Sequence, residues 1–415
     1  MTHSKVPILC LCLLGLLLAT TAQATNVYNV SDYASPQAAI NAAQAAGGGL
    51  VHFPCGPTTL TAGLVVSSPG VTLEGCGPTG TTLWASFATG DIISFSNSTP
   101  YTPCGGVRSL TISPSVNRTS GYAIAIAGCG SGNFENLAIN STSNAIGNGM
   151  HFSDSSNSLA STIFVRAVTI FIHGAFTAIR IDGANDRFFS HLSLSGDYPT
   201  PTAGSRGILI TSSAGDWFSD IESTLFEIGV ELSPGSGQSV LWANFNNVLA
   251  DTNSWMGFHF GGTGAIDGIS CVRCWASTNG TTSGGGRGFE VNNGSGLTFT
   301  DSRVINNGGQ GFNVTSGAAD INIAGGIFTG NCLASAGCTN GGAYGILLTG
   351  TNGFRISGVR AGTTAGESNT QGYGILINTG CDNYIVTGND TRLNVWGGIV
   401  NVPGTGPTRV LANNL

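Results

Sequence analysis

Three tetrapeptides share one pattern: Gly229-Val230-Glu231-Leu232, Gly257-Phe258-His259-Phe260 and Gly288-Phe289-Glu290-Val291. Each reads glycine–apolar–x–apolar, and x is Glu, His, Glu. In an extended chain alternate side chains face opposite sides, so the apolar pair shares one face and x takes the other. If the three strands stack, Glu231, His259 and Glu290 form a file on one outer surface. Rungs about 4.8 Å apart put the two glutamates ~9–10 Å apart at the backbone. Glycoside hydrolysis needs a general acid and a second carboxylate, roughly 6.5–9.5 Å apart for inversion and about 5 Å for retention. The spacing leans towards inversion, with Glu231, Glu290 and His259 as the candidate catalytic set. A histidine between two carboxylates has its charged form favoured and is placed to transfer a proton. Under β-elimination instead, His259 or an arginine would be the base.

The same position on other rungs is held by His151, Arg180 and Leu209 before the triplet, and by Asn313, Leu347 and Leu376 after it. Arg206, Glu227 and Arg287 lie just before the strands, and Asp182 is one outward step beyond Arg180. The arginines suit paired hydrogen bonds to a uronate or sulfate. His151, Arg180, Asp182, Arg206, Glu227 and Arg287 are therefore the candidate substrate-binding residues. Trp255 and Trp275, in turns beside the loop Ser277–Arg287, join them as flat faces for sugars. Trp217 and Trp242 fall at apolar positions of a second strand and are expected in the core. On that strand His191, Asp220, Asn244, Cys271 and Asp301 align, with Ser193, Glu222, Asn246, Arg273 and Arg303 two residues on. This second file reads as cross-rung ion pairs. For the first file the competing reading is a solvated hydrogen-bonded ladder.

What positions these residues is a repeat. The pattern recurs, with small variants, at Gly149, Ala178, Gly207, Gly229, Gly257, Gly288, Gly311, Gly345 and Gly374, with successive starts 22 to 34 residues apart. A turn and a second alternating strand follow each. Units of this length with two or three short strands are the mark of a solenoid, whose stacked units share one core. Glycine-rich alternating units do not hold helices. One helix is expected, Ser35 to Ala46, with Ser35 as N-cap, Pro36 in the first turn and Gly47-Gly48-Gly49 as the stop. The fold class is thus all-β, a right-handed parallel β-helix of about ten rungs with a short N-terminal capping helix.

Composition narrows the function. Charged residues make up 8% and glycine 64 of 415 positions, which favours short strands and tight turns. His3, Lys5, the apolar run Ile8–Ala19 and Ala22-Gln23-Ala24 read as a secretory signal over 1–24. The remainder divides into 25–104, the cap and first rungs, and 105–415, the repeats of the same domain. Lys5 is the sole lysine, so removing the leader takes the formal charge from −7 to −8. Such a chain is a poor partner for nucleic acid, and no run is long enough to anchor it in a membrane. Cys55 with Cys76, Cys104 with Cys129 and Cys332 with Cys338 are plausible disulfides by spacing, and Cys381 is left over. Cys271-Val-Arg-Cys274 has no second ligand pair, so neither a metal site nor a cofactor is expected. The chain closes on Arg409–Leu415, the start of a rung with no visible cap, where a homo-oligomeric contact is expected.

The Ala-rich cap helix, Gly47-Gly48-Gly49, Val51-His-Phe-Pro-Cys-Gly56 and Gly70-Val-Thr-Leu-Glu-Gly75 resemble the start of pectate-lyase-like β-helix proteins. That superfamily includes polygalacturonases, rhamnogalacturonases, epimerases and phage tailspikes. The resemblance implies a secreted carbohydrate-active protein cleaving glycosidic bonds of an extracellular polysaccharide, by hydrolysis or elimination, in a groove on one strand face. The alternative it leaves is a non-catalytic adhesin or glycan-binding fibre. The Asn-Thr-Asp, Asp-Asp, Gly-His-Gly and Arg-Ile-Lys signatures of polygalacturonases are absent, and the lysines of several lyases cannot be present.

Overall fold

The computed structural model describes residues 26–96, 103–140, 148–153, 165–281, 285–333, 344–363, 371–404 and 406–415. The expected leader, Cys338 and positions 282–284 of the second loop lie outside the described residues. Ser35 Oγ accepts a hydrogen bond from Ala38 N at 3.2 Å and caps the helix Pro36–Ala45. That helix buries Ala39, Ile40 and Ala43, small enough to lie flat on the end of the first rung. Gly47, at φ +85°, ends it with the left-handed residue that helix C-termini favour.

The strands that follow build two sheets, of 20 and 15 strands, with parallel pairing throughout. Together they form a right-handed-type solenoid of about 11 turns. The glycine–apolar–x–apolar segments make the smaller sheet, in the register read from the sequence. His151 opposes Arg180, Arg180 opposes Leu209, and Leu209 opposes Glu231. Glu231 then opposes His259, His259 opposes Glu290, and Glu290 opposes Asn313. Val230, Leu232, Phe258, Phe260, Phe289 and Val291 are fully buried. A slip of one residue would turn all of them to solvent, which is what pins the register.

The larger sheet corrects the second file. Its central strands bend at a residue in the left-handed region, His191, Asp220 and Asn247, and Arg273 does the same between Ser270–Val272 and Trp275–Ser277, at φ from +54° to +55°. Inward residues therefore fall three apart across the bend, as in Phe189/Leu192, Phe218/Ile221, Phe245/Val248 and Cys271/Cys274. Cys271 and Cys274 are free, buried thiols that occupy the core positions held one rung earlier by Phe245 and Val248. Asp220 meets Asn247, not Asn244, and accepts a hydrogen bond from its Nδ2 at 2.8 Å. Among the described residues the expected cross-rung ion pairs of this file do not form. Arg273 donates to Asn246 Oδ1 at 3.1 Å, and Arg303 lies over the Trp275 ring at 5.3 Å. Trp217 and Trp242, expected inside, are 53% and 59% exposed.

Between the sheets Phe189, Phe218 and Phe245 stack face to face at 4.8 and 4.7 Å. Behind the smaller sheet a file of buried amides runs through Asn253, Asn279, Asn307 and Asn331. Each Nδ2 donates to the next Oδ1, at 3.0, 2.9 and 2.9 Å. Cys55–Cys76 and Cys104–Cys129 are disulfides, Cys332 is disulfide-bonded, and Cys381 is a buried free thiol.

Candidate functional site

The centre of the stripe is a hydrogen-bonded set on three successive rungs. Glu231 Oε1 lies 3.0 Å from His259 Nδ1, and Glu231 Oε2 accepts from Arg206 Nε. Arg206 Nη1 is also 3.7 Å from Glu227 Oε1, and the other Glu227 oxygen accepts from the Gly204 amide. That last bond ties the loop 196–206 to the stripe. One rung beyond His259, Glu290 Oε2 pairs with Arg287 Nη1 at 2.5 Å and accepts from Asn313 Nδ2 at 2.8 Å. Arg287 Nε donates to Gln310 Oε1 at 3.0 Å.

Exposure separates the roles these groups can take. The side chains of Glu231 and Glu290 are 10% and 4% exposed, against 16% for His259. A ligand on this face meets the imidazole before either carboxylate. Burial alone would raise the Glu231 pKa, but the hydrogen bond from His259 and the charge of Arg206 outweigh it and hold the carboxyl below its ordinary range. Glu231 is thus kept ionised. A carboxylate beside Nδ1 accepts that nitrogen's proton in a hydrogen bond, which leaves the lone pair of a neutral ring on Nε2. No described residue hydrogen-bonds Nε2.

A second cluster precedes this one, with Leu209 between them. His151 Nε2 lies 2.9 Å from Asp182 Oδ2, Arg180 Nε donates to the same oxygen at 2.6 Å, and Thr211 Oγ1 donates to Oδ1. Tyr122 stacks on His151 with ring centres 4.5 Å apart. Burial opposes ionisation of Asp182, but hydrogen bonds from His151, Arg180 and Thr211 outweigh it and hold the carboxyl far below the usual carboxylate range. An aspartate in the unfolded chain titrates near 3.9. Below about pH 4 the unfolded state therefore binds a proton that the folded state does not, and stability falls as pH falls. Asp182→Asn should lower the thermal midpoint at pH 7 and flatten its decline below about pH 4. Calorimetric midpoints measured against pH check this; parallel curves for variant and wild type would remove Asp182 from the acid response.

The structure thus brings together Glu231, His259, Glu290, Arg206, Glu227 and Arg287, and sets His151, Arg180 and Asp182 further along the same stripe. Trp255, 43% exposed, directly precedes the strand of His259, and its amide donates to Glu227 O at 3.0 Å. Trp275 is not brought to the stripe. It lies in the larger sheet, opposite Leu249 and Arg303, because the segment Trp275–Ser277 forms a strand of that sheet and not a turn beside the smaller one. Tyr122, Thr211, Gln310 and Asn313 complete the clusters without having been singled out as site residues. Tyr122 was findable: it stands three residues before its rung's outward position, Ala125, as Arg206 stands before Leu209 and Arg287 before Glu290.

Among the described residues no three His, Cys, Asp or Glu side chains are grouped as a metal site, and no helix is long and apolar enough to cross a membrane. No protein-family model and no curated protein sequence matches the chain. Solved structures do. The A-module of mannuronan C-5 epimerase AlgE6 from Azotobacter vinelandii is similar at TM-score 0.60 and 18% identity, over 94% of this chain and 98% of that one. Bacteriophage phi29 gene product 12, in its pre-mature form, gives TM-score 0.71 at 14% identity, over 92% of this chain and 58% of that one. The catalytic domain of a GH87 alpha-1,3-glucanase in complex with nigerose gives 0.52 at 13%, over 94% and 69%. At these identities the likeness is one of fold, the parallel β-helix, and identifies no particular member.

Proposed function

We propose that the chain is a secreted, carbohydrate-active β-helix protein that breaks glycosidic bonds in a polysaccharide lying along the stripe. His259 takes a proton at Nε2, from the attacking water in hydrolysis or from the carbon beside a uronate carboxyl in elimination, and solvent water supplies the proton that the departing glycosidic oxygen needs. The observation that carries this reading is the Glu231–His259 pair: an ionised, nearly buried carboxylate on Nδ1, and an Nε2 with no hydrogen-bond partner among the described residues. Glu231 then orients the ring and stabilises the imidazolium as it forms. Arg206 holds Glu231 in place, and Trp255 offers a flat apolar face at the same rung. Two neighbours in fold, an epimerase named for mannuronan and a glucanase bound to nigerose, are consistent with a saccharide ligand. The disulfides and the sequence of the first 24 residues support an extracellular setting.

One observation favours a second reading, a non-catalytic glycan-binding protein. Arg180, Arg206 and Arg287 each already hold a carboxylate, so the stripe can be a self-satisfied ladder. The test is a screen of neutral and acidic polysaccharides that reads reducing ends and unsaturated-product absorbance together. Hydrolysis yields the first alone and elimination yields both. Product from wild type that is lost in His259→Ala supports the enzyme; retention of polysaccharide without product supports the binding protein.

Gly261 supplies a milder probe. A β-carbon there would stand 2.6 Å from His259 Nε2. Gly261→Ala should leave the thermal midpoint within a few degrees of wild type yet displace the imidazole and cut turnover about tenfold or more. Steady-state kinetics beside a melting curve check it; unchanged turnover would place Nε2 outside the reaction.

A further inference from the structure

The outer face of the larger sheet carries a second arrangement, remote from the stripe and unused by it. Phe188 and Trp217 oppose one another on adjacent rungs and are 42% and 53% exposed. Two residues further along the same strands, Ser190, Ser219 and Asn246 form an in-register row. With Arg166 at one end, these residues line a cleft of about 420 Å³, floored by Phe189 and Phe218. The hydroxyls of Ser190 and Ser219 bond to no described residue. The amide nitrogen of Asn246 is likewise unused, its oxygen being taken by Arg273.

We infer that this cleft is a second glycan-binding subsite that holds a short stretch of a neutral polysaccharide. Three features select that occupant. The row of hydrogen-bonding groups carries no charge, and the one charged residue that lines the cleft, Arg166, stands at its end and outside that row. The aromatic column gives an apolar face beside a few directional polar groups, the make-up of a small-ligand site rather than of a dry protein interface. Phe188 and Trp217 stand on two adjacent rungs and Ser190, Ser219 and Asn246 on three, about 4.8 Å apart, which suits a ligand that itself repeats. The subsite shares the substrate class of the proposed function but does not depend on His259. It would keep a polymer on the molecule while the stripe works on another part of it, by raising the effective concentration.

The experiment is affinity electrophoresis of the full chain through gels cast with laminarin, dextran, galactomannan or hydroxyethyl cellulose, and with polygalacturonate as the acidic comparison. Wild type, His259→Ala, Trp217→Phe and the double variant Phe188→Ala/Trp217→Ala are run side by side, with melting curves for each. The expected result is retardation of wild type and His259→Ala by at least one neutral polymer. The double variant should need roughly tenfold more polymer for the same retardation, and Trp217→Phe should stay near wild type. The inference is overturned if no neutral polymer retards the wild type, if only polygalacturonate does, or if the double variant runs like wild type. Loss of retardation in His259→Ala but not in the double variant would assign all binding to the stripe. If sedimentation shows wild-type self-association that the double variant lacks, with no glycan retardation, the face belongs to a second copy instead.

Discussion

Replacing His259 with alanine should reduce kcat/KM on the cleaved polysaccharide by about 10²–10⁴-fold, the range in which a positioned acid–base group contributes. The fold should survive. Glu231 keeps Arg206 as a partner after the substitution, so no buried carboxylate is left alone, and His259 is not part of the hydrophobic core. Most of the loss should fall on kcat, because the role proposed for the imidazole is to act on the proton in flight and not in a resting contact. Glu231→Gln should lie between the two. The amide preserves shape but cannot stabilise an imidazolium, and it leaves Arg206 with only the more distant Glu227 carboxylate, at 3.7 Å. Kinetics on the two variants, with melting curves as the fold control, decide the matter; wild-type turnover in both would dismiss the centre.

The largest effect on stability is expected from Asn279→Ala. Asn279 is fully buried, and its amide makes four hydrogen bonds. Its Oδ1 accepts from Asn253 N at 3.1 Å and Asn253 Nδ2 at 3.0 Å. Its Nδ2 donates to Ala250 O at 3.0 Å and Asn307 Oδ1 at 2.9 Å. Truncation strands buried groups on both neighbouring rungs, each at about 1–3 kcal/mol, so the loss should reach roughly 4 kcal/mol or more. The ladder lies under the turns that lead into the strands of His259 and Glu290, so the site should loosen with it. Denaturant unfolding gives the number. A loss below about 1 kcal/mol would mean that water takes over the vacated bonds.

The first file was legible because a single rule governs it. One face of each strand is buried, so the apolar pairs fix which residue points out, and the recurring small residue fixes the register. The same rule failed on the larger sheet. His191, Asp220 and Asn247 adopt left-handed φ in mid-strand and Arg273 does so between two short strands, and that bend resets the alternation. Asp, Asn and His are the side chains that most often adopt this region, but they are scattered through the chain, and nothing in the identity of Arg273 announces it. Trp217 therefore faces out and Cys271 in, each opposite to simple alternation, while Trp242 is turned outward by its own left-handed φ of +53° just before the strand Asn244–Asp251. The amide ladder was hidden for another reason. Asparagine is common throughout the chain, and the ladder's spacings of 26, 28 and 24 residues repeat no fixed period. Side-chain pairing was the least legible of all. Arg206 reaches Glu231 on the next rung, whereas Arg287 turns back to Glu290 on its own strand. That choice depends on rotamers and neighbours, not on position in the repeat.

The most direct test of the stripe as the place of reaction is a crystal structure of His259→Ala soaked with an oligosaccharide of whichever polymer the wild type cleaves. The expected result is a chain of sugar density along the smaller sheet, crossing the rungs of Glu231, His259 and Glu290, with a glycosidic bond over the vacated imidazole position. Density confined to another face, with the stripe empty, would contradict it.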